Sequence, residues 1–341
     1  MIEFLKFTEQ QRQSLIGTID YTEGIPQNAV EKDWWVTLTL KALFTGKYSE
    51  HIIFKGGTSL SKCWKLIQRF SEDIDIAISP EILGALYEKE PSKTFVKKLK
   101  RKGCEFTSNE LKIDLEKQFE ALGVPTGTVE MYAAEINPKQ PDTDPQTLYV
   151  RYKSLFDKNP YVEPEVKIEV SIRYIKEPSS SVKVQSLLSE FIKSEGYKEI
   201  PFDVRATEPH RTFLEKAFLL HEEFLQPDKK EIRSRRMSRH LYDLVKMTDA
   251  GIDKKALSDV ELYRTLITHR KHYSMLNWMG DYKTLERDKI NFLVPDDLSG
   301  AYEDDYKSMQ AEMIYEDAPS FEEIMRSLKR LQAAFTEKLS P

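Results

Sequence analysis

The segment spanning residues 52–78 constrains the fold more than any other part of the chain. The apolar run 52–54 predicts a short buried strand that ends at two glycines. Residues 58–70 are predicted to form a helix. The run Asp-Ile-Asp-Ile-Ala-Ile at 73–78 alternates with period two and predicts a second strand. Strand, glycine turn, helix and strand in close succession indicate an α/β unit.

The glycine turn has the composition of a phosphate-binding loop. Gly56 and Gly57 carry no side chain, so backbone N–H groups there can approach phosphate oxygens closely. The start of the following helix directs free N–H groups and the positive end of its dipole to the same place. Thr58 and Ser59 add hydroxyl donors. We therefore predict that these four residues bind a nucleotide. Neither a Walker loop nor a Rossmann fingerprint is present.

Three acidic residues on two predicted strands are the candidate metal ligands. Asp73 and Asp75 are two residues apart on a strand and so face the same side. Glu169 lies on the alternating strand predicted at 166–174. Mg²⁺ prefers one or two carboxylates together with substrate phosphates, and this set predicts a Mg²⁺ site. Glu169 is also predicted to help deprotonate an attacking hydroxyl. A lone Gly-Gly marks a turn and a lone Asp-x-Asp often faces solvent, but their conjunction is much more specific.

The pattern of predicted elements divides the chain near residue 200. Thr8 and Gln11 form a capping-box pattern ahead of an N-terminal helix, and 29–44 predicts a second helix. Residues 81–123 are predicted to be mostly helical, strands are predicted at 128–136 and 147–155, and 183–193 suggests a short helix. From residue 211 the pattern is helical almost to the end. We predict an α/β (α+β) domain over 1–200 and a helical domain over 201–341.

Composition excludes several classes of protein. Lys and Arg number 51 against 56 Asp and Glu, a net charge of −5, which argues against a protein that coats nucleic acid through bulk charge. No apolar run approaches the ~20 residues that span a bilayer, and the first residues do not resemble a secretory signal. Only two cysteines occur, which suits a reducing compartment. We expect a cytoplasmic protein without a membrane partner.

Charge is nevertheless unevenly distributed along the chain. Residues 93–102 carry six basic residues and no acid, and 229–240 carry six against one acid. Residues 296–323 carry ten acids and one base. Each run can be a solvated helix face. The basic runs can also bind RNA phosphates, and the candidate residues for that role are Lys97, Lys98, Arg235 and Arg236.

The motifs resemble a known family. Phe-Lys-Gly-Gly-Thr at 54–58 and Arg-Phe-Ser-Glu-Asp-Ile-Asp at 69–75 resemble the first motif of the DNA-polymerase-β-type nucleotidyltransferase superfamily. More narrowly, they resemble the AbiEii/AbiGii toxin family, which includes abortive-infection and MenT-type toxins. Thr-Phe-Leu-Glu-Lys at 212–216 and Arg-His-Leu-Tyr-Asp-Leu at 239–244 resemble two later family motifs. The resemblance implies a polymerase-β-type nucleotidyltransferase domain with a mixed sheet, followed by a mostly helical C-terminal domain.

The resemblance also implies roles for individual residues. Lys216 would reach the nucleotide phosphates, and Asp243 would complete the catalytic set with Asp73, Asp75 and Glu169. The family often has Asp at the position of Glu169, so this chain departs from the family pattern there. From the residues alone, Lys216 can equally form a local ion pair on a helix face.

Two basic residues flank the loop. Lys55 and Arg69 are candidates for contacts with phosphate, or for structural partners of the neighbouring acids.

The predicted function is transfer of a nucleoside monophosphate from a nucleoside triphosphate (NTP) to an acceptor hydroxyl. The resemblance favours the 3′ end of tRNA as acceptor and implies the toxin of an abortive-infection or type IV toxin–antitoxin system with a cognate antitoxin. Alternatives on the same fold are a phosphotransferase, an antibiotic nucleotidyltransferase whose pocket would use the acid-rich 296–323 run, and an inactive nucleotide-binding module. The retention of both Asp73 and Asp75 argues against the inactive module, because a binding fold does not need crowded like charges.

Overall fold

A seven-stranded mixed sheet organises the first part of the chain. The computed structural model describes residues 1–157, 163–192, 197–274, 276 and 278–337. Within them the strand order is β3-β4-β5-β2-β1-β7-β6. The strands are β1 (Ile52–Lys55), β2 (Ile74–Ile78), β3 (Val129–Ala133), β4 (Gln146–Tyr152), β5 (Glu165–Ser171), β6 (Ser179–Val184) and β7 (Phe202–Thr207).

The central strands are held by their apolar faces. Ile74, Ile76 and Ile78 of β2 are fully buried, as are Val166 and Ile168 of β5. Strand β2 pairs antiparallel with β1 and parallel with β5, while β1 pairs parallel with β7. The remaining pairs are antiparallel. The alternating side chains predicted for these strands therefore place their polar residues together on one face of neighbouring strands.

Helices accompany the sheet and then dominate the chain. Those before residue 200 are α1 (Glu3–Lys6), α2 (Glu9–Glu23), α3 (Gln27–Thr45), α4 (Gly56–Lys62), α5 (Lys93–Phe106), α6 (Lys112–Leu122) and α7 (Leu187–Phe191). Those after it are α8 (Pro209–Phe224), α9 (Ser238–Asp249), α10 (Ile252–Ser258), α11 (Val260–His269), α12 (Ser299–Glu312) and α13 (Phe321–Thr336). Thr8 forms the predicted capping box with Gln11 at the start of α2.

The chain divides into two compact units. The first contains Met1–Cys63, Phe70–Tyr87 and Thr94–Thr207, and the second contains Trp64–Arg69, Glu88–Lys93 and Glu208–Pro341. Strand β7 follows residue 200 and belongs to the first unit. The predicted fold class, a mixed sheet followed by a mostly helical part, is confirmed.

The structure corrects the helix predicted at 58–70. Helix α4 runs only from Gly56 to Lys62, and Lys65 has a left-handed φ of 53° that cannot continue a helix. Backbone bonding draws the following residues away from helical geometry. Arg69 forms a β-bridge with Ile314, and the backbone N–H of Tyr315 donates to the carbonyl of Gln68. Tertiary pairing here overrides a sequence with good helical periodicity.

Other elements also depart from expectation. Strands β6 and β7 were not predicted. Only two of the six residues of β6 are apolar, whereas Phe-Asp-Val-Arg-Ala-Thr of β7 alternates with period two, a signal that could have identified it. The helix predicted at 183–193 is reduced to α7, and residue 193 lies outside the described residues. The helical stretch predicted at 81–123 is not helical at 84–92. Among the described residues, no helix combines the length and apolar character needed to cross a bilayer.

Candidate active site

A row of charged side chains crosses three neighbouring strands of the sheet. Lys55 on β1 is the register partner of Asp75 on β2, and Asp75 is the register partner of Glu169 on β5. Direct partners lie on the same face of a sheet, so the three side chains are neighbours. Asp73 lies immediately before β2, two residues from Asp75. The structure thus brings together the carboxylates that the sequence predicts from separate strands.

The position of Asp75 explains the first glycine of the pair. Gly56 has a φ of 80°, and a Cβ atom built there would lie 2.1 Å from Oδ2 of Asp75. Any other residue would therefore be strained and would collide with the carboxylate. Gly56 makes room for Asp75, a reason distinct from the phosphate contact predicted from the sequence.

The hydroxyls of Thr58 and Ser59 hold the loop in place. Thr58 Oγ1 donates to the carbonyl oxygen of Asp73 at 2.5 Å and lies 2.9 Å from Ser71 Oγ. Ser59 Oγ donates to the carbonyl of Gly56 at 2.9 Å. Both residues are buried, so these bonds fix the backbone at Asp73 and at the turn. The nucleotide-binding role of Gly56, Gly57, Thr58 and Ser59 stays a prediction.

The carboxylate row is electrostatically unbalanced. Burial and the charge of Glu169, with a further contribution from Asp73, raise the pKa of Asp75 to about 7, although Lys55 opposes this. Asp75 and Glu169 are register partners on neighbouring strands, so each carboxylate disfavours ionisation of the other. Lys167 forms an ion pair with Glu169 from the same face of β5. Lys167 is a neighbour of the carboxylate row that sequence reasoning did not assign to the site.

The donor chemistry of the row fits a hard divalent cation. Asp75 and Glu169 supply adjacent carboxylate oxygens, and a cation between them would offset the repulsion that raises the pKa of Asp75. In the described part of the chain, no group of three or more His, Cys, Asp or Glu side chains is positioned to hold a metal. Mg²⁺ does not require such a cage, because substrate phosphates and water complete its shell. The assignment of Asp73, Asp75 and Glu169 as ligands stays a prediction.

A second charged cluster lies within the helical unit. Arg69 bonds both carboxylate oxygens of Asp243, at 2.7 and 2.8 Å, and Lys216 Nζ lies 2.8 Å from Oδ2 of Asp243. Asp243 is fully buried. Burial disfavours its charge, but Arg69 and Lys216 outweigh that effect and hold the pKa of Asp243 well below its usual range. Arg69 is thus paired with an acid that is remote in sequence rather than with the neighbouring acids, and its predicted contact with phosphate stays a prediction.

The surroundings of Lys216 disfavour the charged form of its ammonium group. Burial lowers the pKa of Lys216, which Asp243 opposes, and His240 Nδ1 lies 3.4 Å from Lys216 Nζ. Burial and the charge of Lys216 lower the pKa of His240 well below its usual value. The roles of Lys216 at nucleotide phosphates and of Asp243 in catalysis stay predictions.

Glu316 is a residue of this unit that sequence reasoning missed. The Tyr242 hydroxyl donates to Glu316 Oε1 at 2.5 Å and accepts from the backbone N–H of Gln68 at 3.3 Å. Lys246, one helical turn from Tyr242, pairs with Glu316 at 2.9 Å. Tyr242 and Lys246 are spaced i, i+4 and so lie on the same face of the helix, where one group can contact both. The spacing does not identify which acid of the 296–323 run that group is.

The basic run at 229–240 and the acidic run at 296–323 bond to each other. Lys229 pairs with Asp297, and Asp305 accepts from the backbone N–H groups of Arg236 and Ser238. These acids therefore cap and pair helices of their own unit, which weakens the reading of the acidic run as an antibiotic pocket.

The four candidate RNA-binding residues are exposed. Lys97 and Lys98 lie on α5 in the first unit, and Arg235 and Arg236 precede α9 in the second. Their role stays a prediction.

Comparison with known proteins identifies a family. The family model described as the nucleotidyl transferase AbiEii toxin of a type IV toxin–antitoxin system matches residues 39–327. No curated protein matches the chain.

Proposed function

We propose the following function on the premise that the chain belongs to the AbiEii family, the nucleotidyl transferase toxins of type IV toxin–antitoxin systems. The protein transfers a nucleoside monophosphate from an NTP to an acceptor hydroxyl and depends on Mg²⁺. The favoured acceptor is the 3′ end of tRNA. The observation that carries the proposal is the register of Asp75 with Glu169 on neighbouring parallel strands.

The reaction is a displacement at the α-phosphorus. The acceptor oxygen forms a bond to that phosphorus, the bond to the bridging β-oxygen breaks, and pyrophosphate leaves with the electron pair. The hydroxyl proton passes to the Glu169 carboxylate, which Lys167 holds in place. Asp73, Asp75 and Glu169 would hold Mg²⁺, and the bound ion would supply neutralisation of the phosphate charge. Lys55 beside Asp75 and the turn at Gly56 and Gly57 are assigned to the NTP phosphates.

The proposed acceptor contacts involve two separate basic segments. Exposed lysines on a helix can neutralise RNA phosphates and give a salt-dependent affinity. Lys97→Gln with Lys98→Gln should weaken tRNA binding and lower the salt slope by about 1–2, while NTP binding is unchanged. Arg235→Gln with Arg236→Gln tests the second segment independently. An unchanged slope in either double variant removes that segment from the acceptor surface.

The identity of the transferred group is tested by labelling. The protein is incubated with Mg²⁺, total tRNA and each NTP, labelled in turn at the α- and γ-phosphate. Label from the α position on tRNA supports the proposal and identifies the nucleotide. Label from the γ position on any acceptor contradicts it and establishes a phosphotransferase. Transfer to a small molecule or to protein, with tRNA unlabelled, overturns the acceptor.

A cognate antitoxin is the partner that membership of this toxin family implies. We propose that it opposes the transfer reaction. Co-expression of the neighbouring gene product should restore growth of cells that express the wild-type chain.

A further inference from the structure

Helix α3 contains three consecutive charged residues that are all withdrawn from solvent. Glu31 and Lys32 are 2% and 3% exposed, and the Asp33 side chain is 13% exposed. Successive residues on an α-helix point about 100° apart, so three in a row cannot share one partner. Burying a charge costs free energy unless it is paired, so each of them must reach a separate partner.

The three side chains reach three different segments of the first unit. Glu31 accepts from Ser154 Oγ at 2.6 Å and from the backbone N–H of Leu155 at 2.9 Å. Asp33 pairs with Lys62 at the end of α4 and accepts from the backbone N–H of Leu187. These contacts fix a loop after β4 and the ends of two short helices.

Lys32 differs from its neighbours because it contacts two segments that carry predicted site residues. Its Nζ donates to Glu72 Oε2 at 2.6 Å and to the carbonyl oxygen of Glu163 at 3.0 Å. Glu72 directly precedes Asp73, and Glu163 lies two residues before β5, the strand of Glu169. The buried ammonium group of Lys32 therefore contacts both the segment that precedes Asp73 and Asp75 and the segment that precedes Glu169.

Stability alone does not account for this pair. A buried ion pair is weak evidence of stabilisation, because well-packed apolar residues of similar volume often serve as well or better. Geometry is what the ion pair adds. Glu72 is 9% exposed, and its bond to Lys32 holds the chain immediately before Asp73, on the side opposite to the Thr58 bond that holds the Asp73 carbonyl.

We propose that Lys32 and Glu72 are positioning residues, which set the spacing of Asp73 relative to Asp75 and Glu169 and thereby tune cation binding and transfer. This inference rests on the proposed function for its catalytic consequence but not for its effect on cation binding. Displacement of a reacting group by about 1 Å costs on the order of 100-fold in rate.

The test uses an apolar replacement of the whole pair. Lys32→Met with Glu72→Met removes both charges and retains volume, so the melting temperature should stay close to that of the wild type. Mn²⁺ binding, measured by calorimetry, should weaken at least tenfold. The kcat for nucleotide transfer should fall at least tenfold, while KM for the NTP changes less than twofold.

Glu31→Gln is the matched control, since Glu31 is a buried charge on the same helix that contacts no segment next to a predicted ligand. It should leave Mn²⁺ affinity and kcat within twofold of the wild type. If the double variant does not fold, Glu72→Gln replaces it, because this isosteric change removes only the charge. It should weaken Mn²⁺ binding severalfold.

The outcomes separate this inference from the proposed function. Wild-type Mn²⁺ affinity in a folded pair variant, or in Glu72→Gln, overturns the positioning role, as does an equal loss in Glu31→Gln. If the wild type binds Mn²⁺ but transfers no nucleotide, the proposed function fails while the weaker binding of the variant still supports the inference. If the wild type binds no Mn²⁺, both are overturned.

Discussion

Two clusters of charged side chains, one in each unit, differ in how the charge of their carboxylates is balanced. In the helical unit Asp243 is fully buried between Arg69 and Lys216, so the cluster carries more positive than negative charge and the carboxylate is fully paired. In the sheet unit Asp75 faces Glu169 and Asp73 with Lys55 and Lys167 at the margins. The difference teaches that the carboxylate of the first cluster is already balanced by cationic side chains, whereas the second cluster lacks the positive charge that a bound cation would supply.

Loss of the paired carboxylate should have the largest effect on stability. Asp243→Asn leaves two buried cations facing an amide, whose N–H₂ group repels them. Breaking a buried pair in this way costs about 3–5 kcal/mol of unfolding free energy. Urea denaturation followed by circular dichroism measures the loss. Asp297→Asn removes an exposed partner of Lys229 and should leave the midpoint unchanged. Equal midpoints for Asp243→Asn and the wild type would show that the cluster is not structural.

The next largest effect is expected at the glycine beside Asp75. Gly56→Ala introduces a side chain at a left-handed φ and a collision with Oδ2 of Asp75, and should cost about 1–3 kcal/mol. The same substitution in an Asp75→Ala background should cost less, because only the backbone strain remains. A double-mutant cycle from thermal or urea unfolding gives the coupling. Additive losses would contradict close contact between Gly56 and the carboxylate.

Asp75 and Asp243 should respond to pH with opposite sign. The pKa of Asp243 is lowered on folding, so its stabilisation is present above the unfolded value of 3.8 and is lost as pH falls through the lower folded value. The pKa of Asp75 is raised from 3.8 to about 7, so its ionisation destabilises the fold increasingly as pH rises through that window.

Asp75→Asn should therefore stabilise the protein at pH 8 by about 1–2 kcal/mol and have little effect at pH 4. This is less than the full pKa shift implies, because Asp75 is partly exposed. Melting curves at the two pH values check the result. Added Mg²⁺ should raise the melting temperature of the wild type at pH 8 more than that of Asp75→Asn. A variant that is less stable at pH 8 would contradict the charge imbalance.

The sequence allowed the strands of the site to be predicted, but not which strands pair with each other in the sheet. The alternation at 73–78 and 166–174 identified β2 and β5, because period two is a local property. That β2 and β5 are adjacent and in register at Asp75 and Glu169 is a long-range fact, which only the structure shows. Local pattern also failed at 58–70, where bonds to residues 314 and 315 replace the helix.

Buried charges were the least predictable feature. The sequence Glu-Lys-Asp at 31–33 reads as a solvated turn of helix, yet all three residues are paired inside the first unit. Lys229 belongs to the basic run and Asp297 to the acidic run. Each run was interpreted separately from the sequence, as a solvated face or a binding surface, whereas the structure pairs residues of one run with residues of the other. In each case the partner is remote in sequence, and local spacing holds no information about it.

The central claim is that the carboxylate row of the sheet carries the transfer reaction. It is tested most directly by comparing Asp75→Asn with Glu165→Gln. Glu165 lies on the same strand and face as Glu169, but bonds to Tyr132 and Arg151 instead. With α-labelled NTP, Mg²⁺ and tRNA, Asp75→Asn should lose transfer at least 100-fold while remaining folded, and Glu165→Gln should retain it. Full transfer by folded Asp75→Asn would contradict the claim.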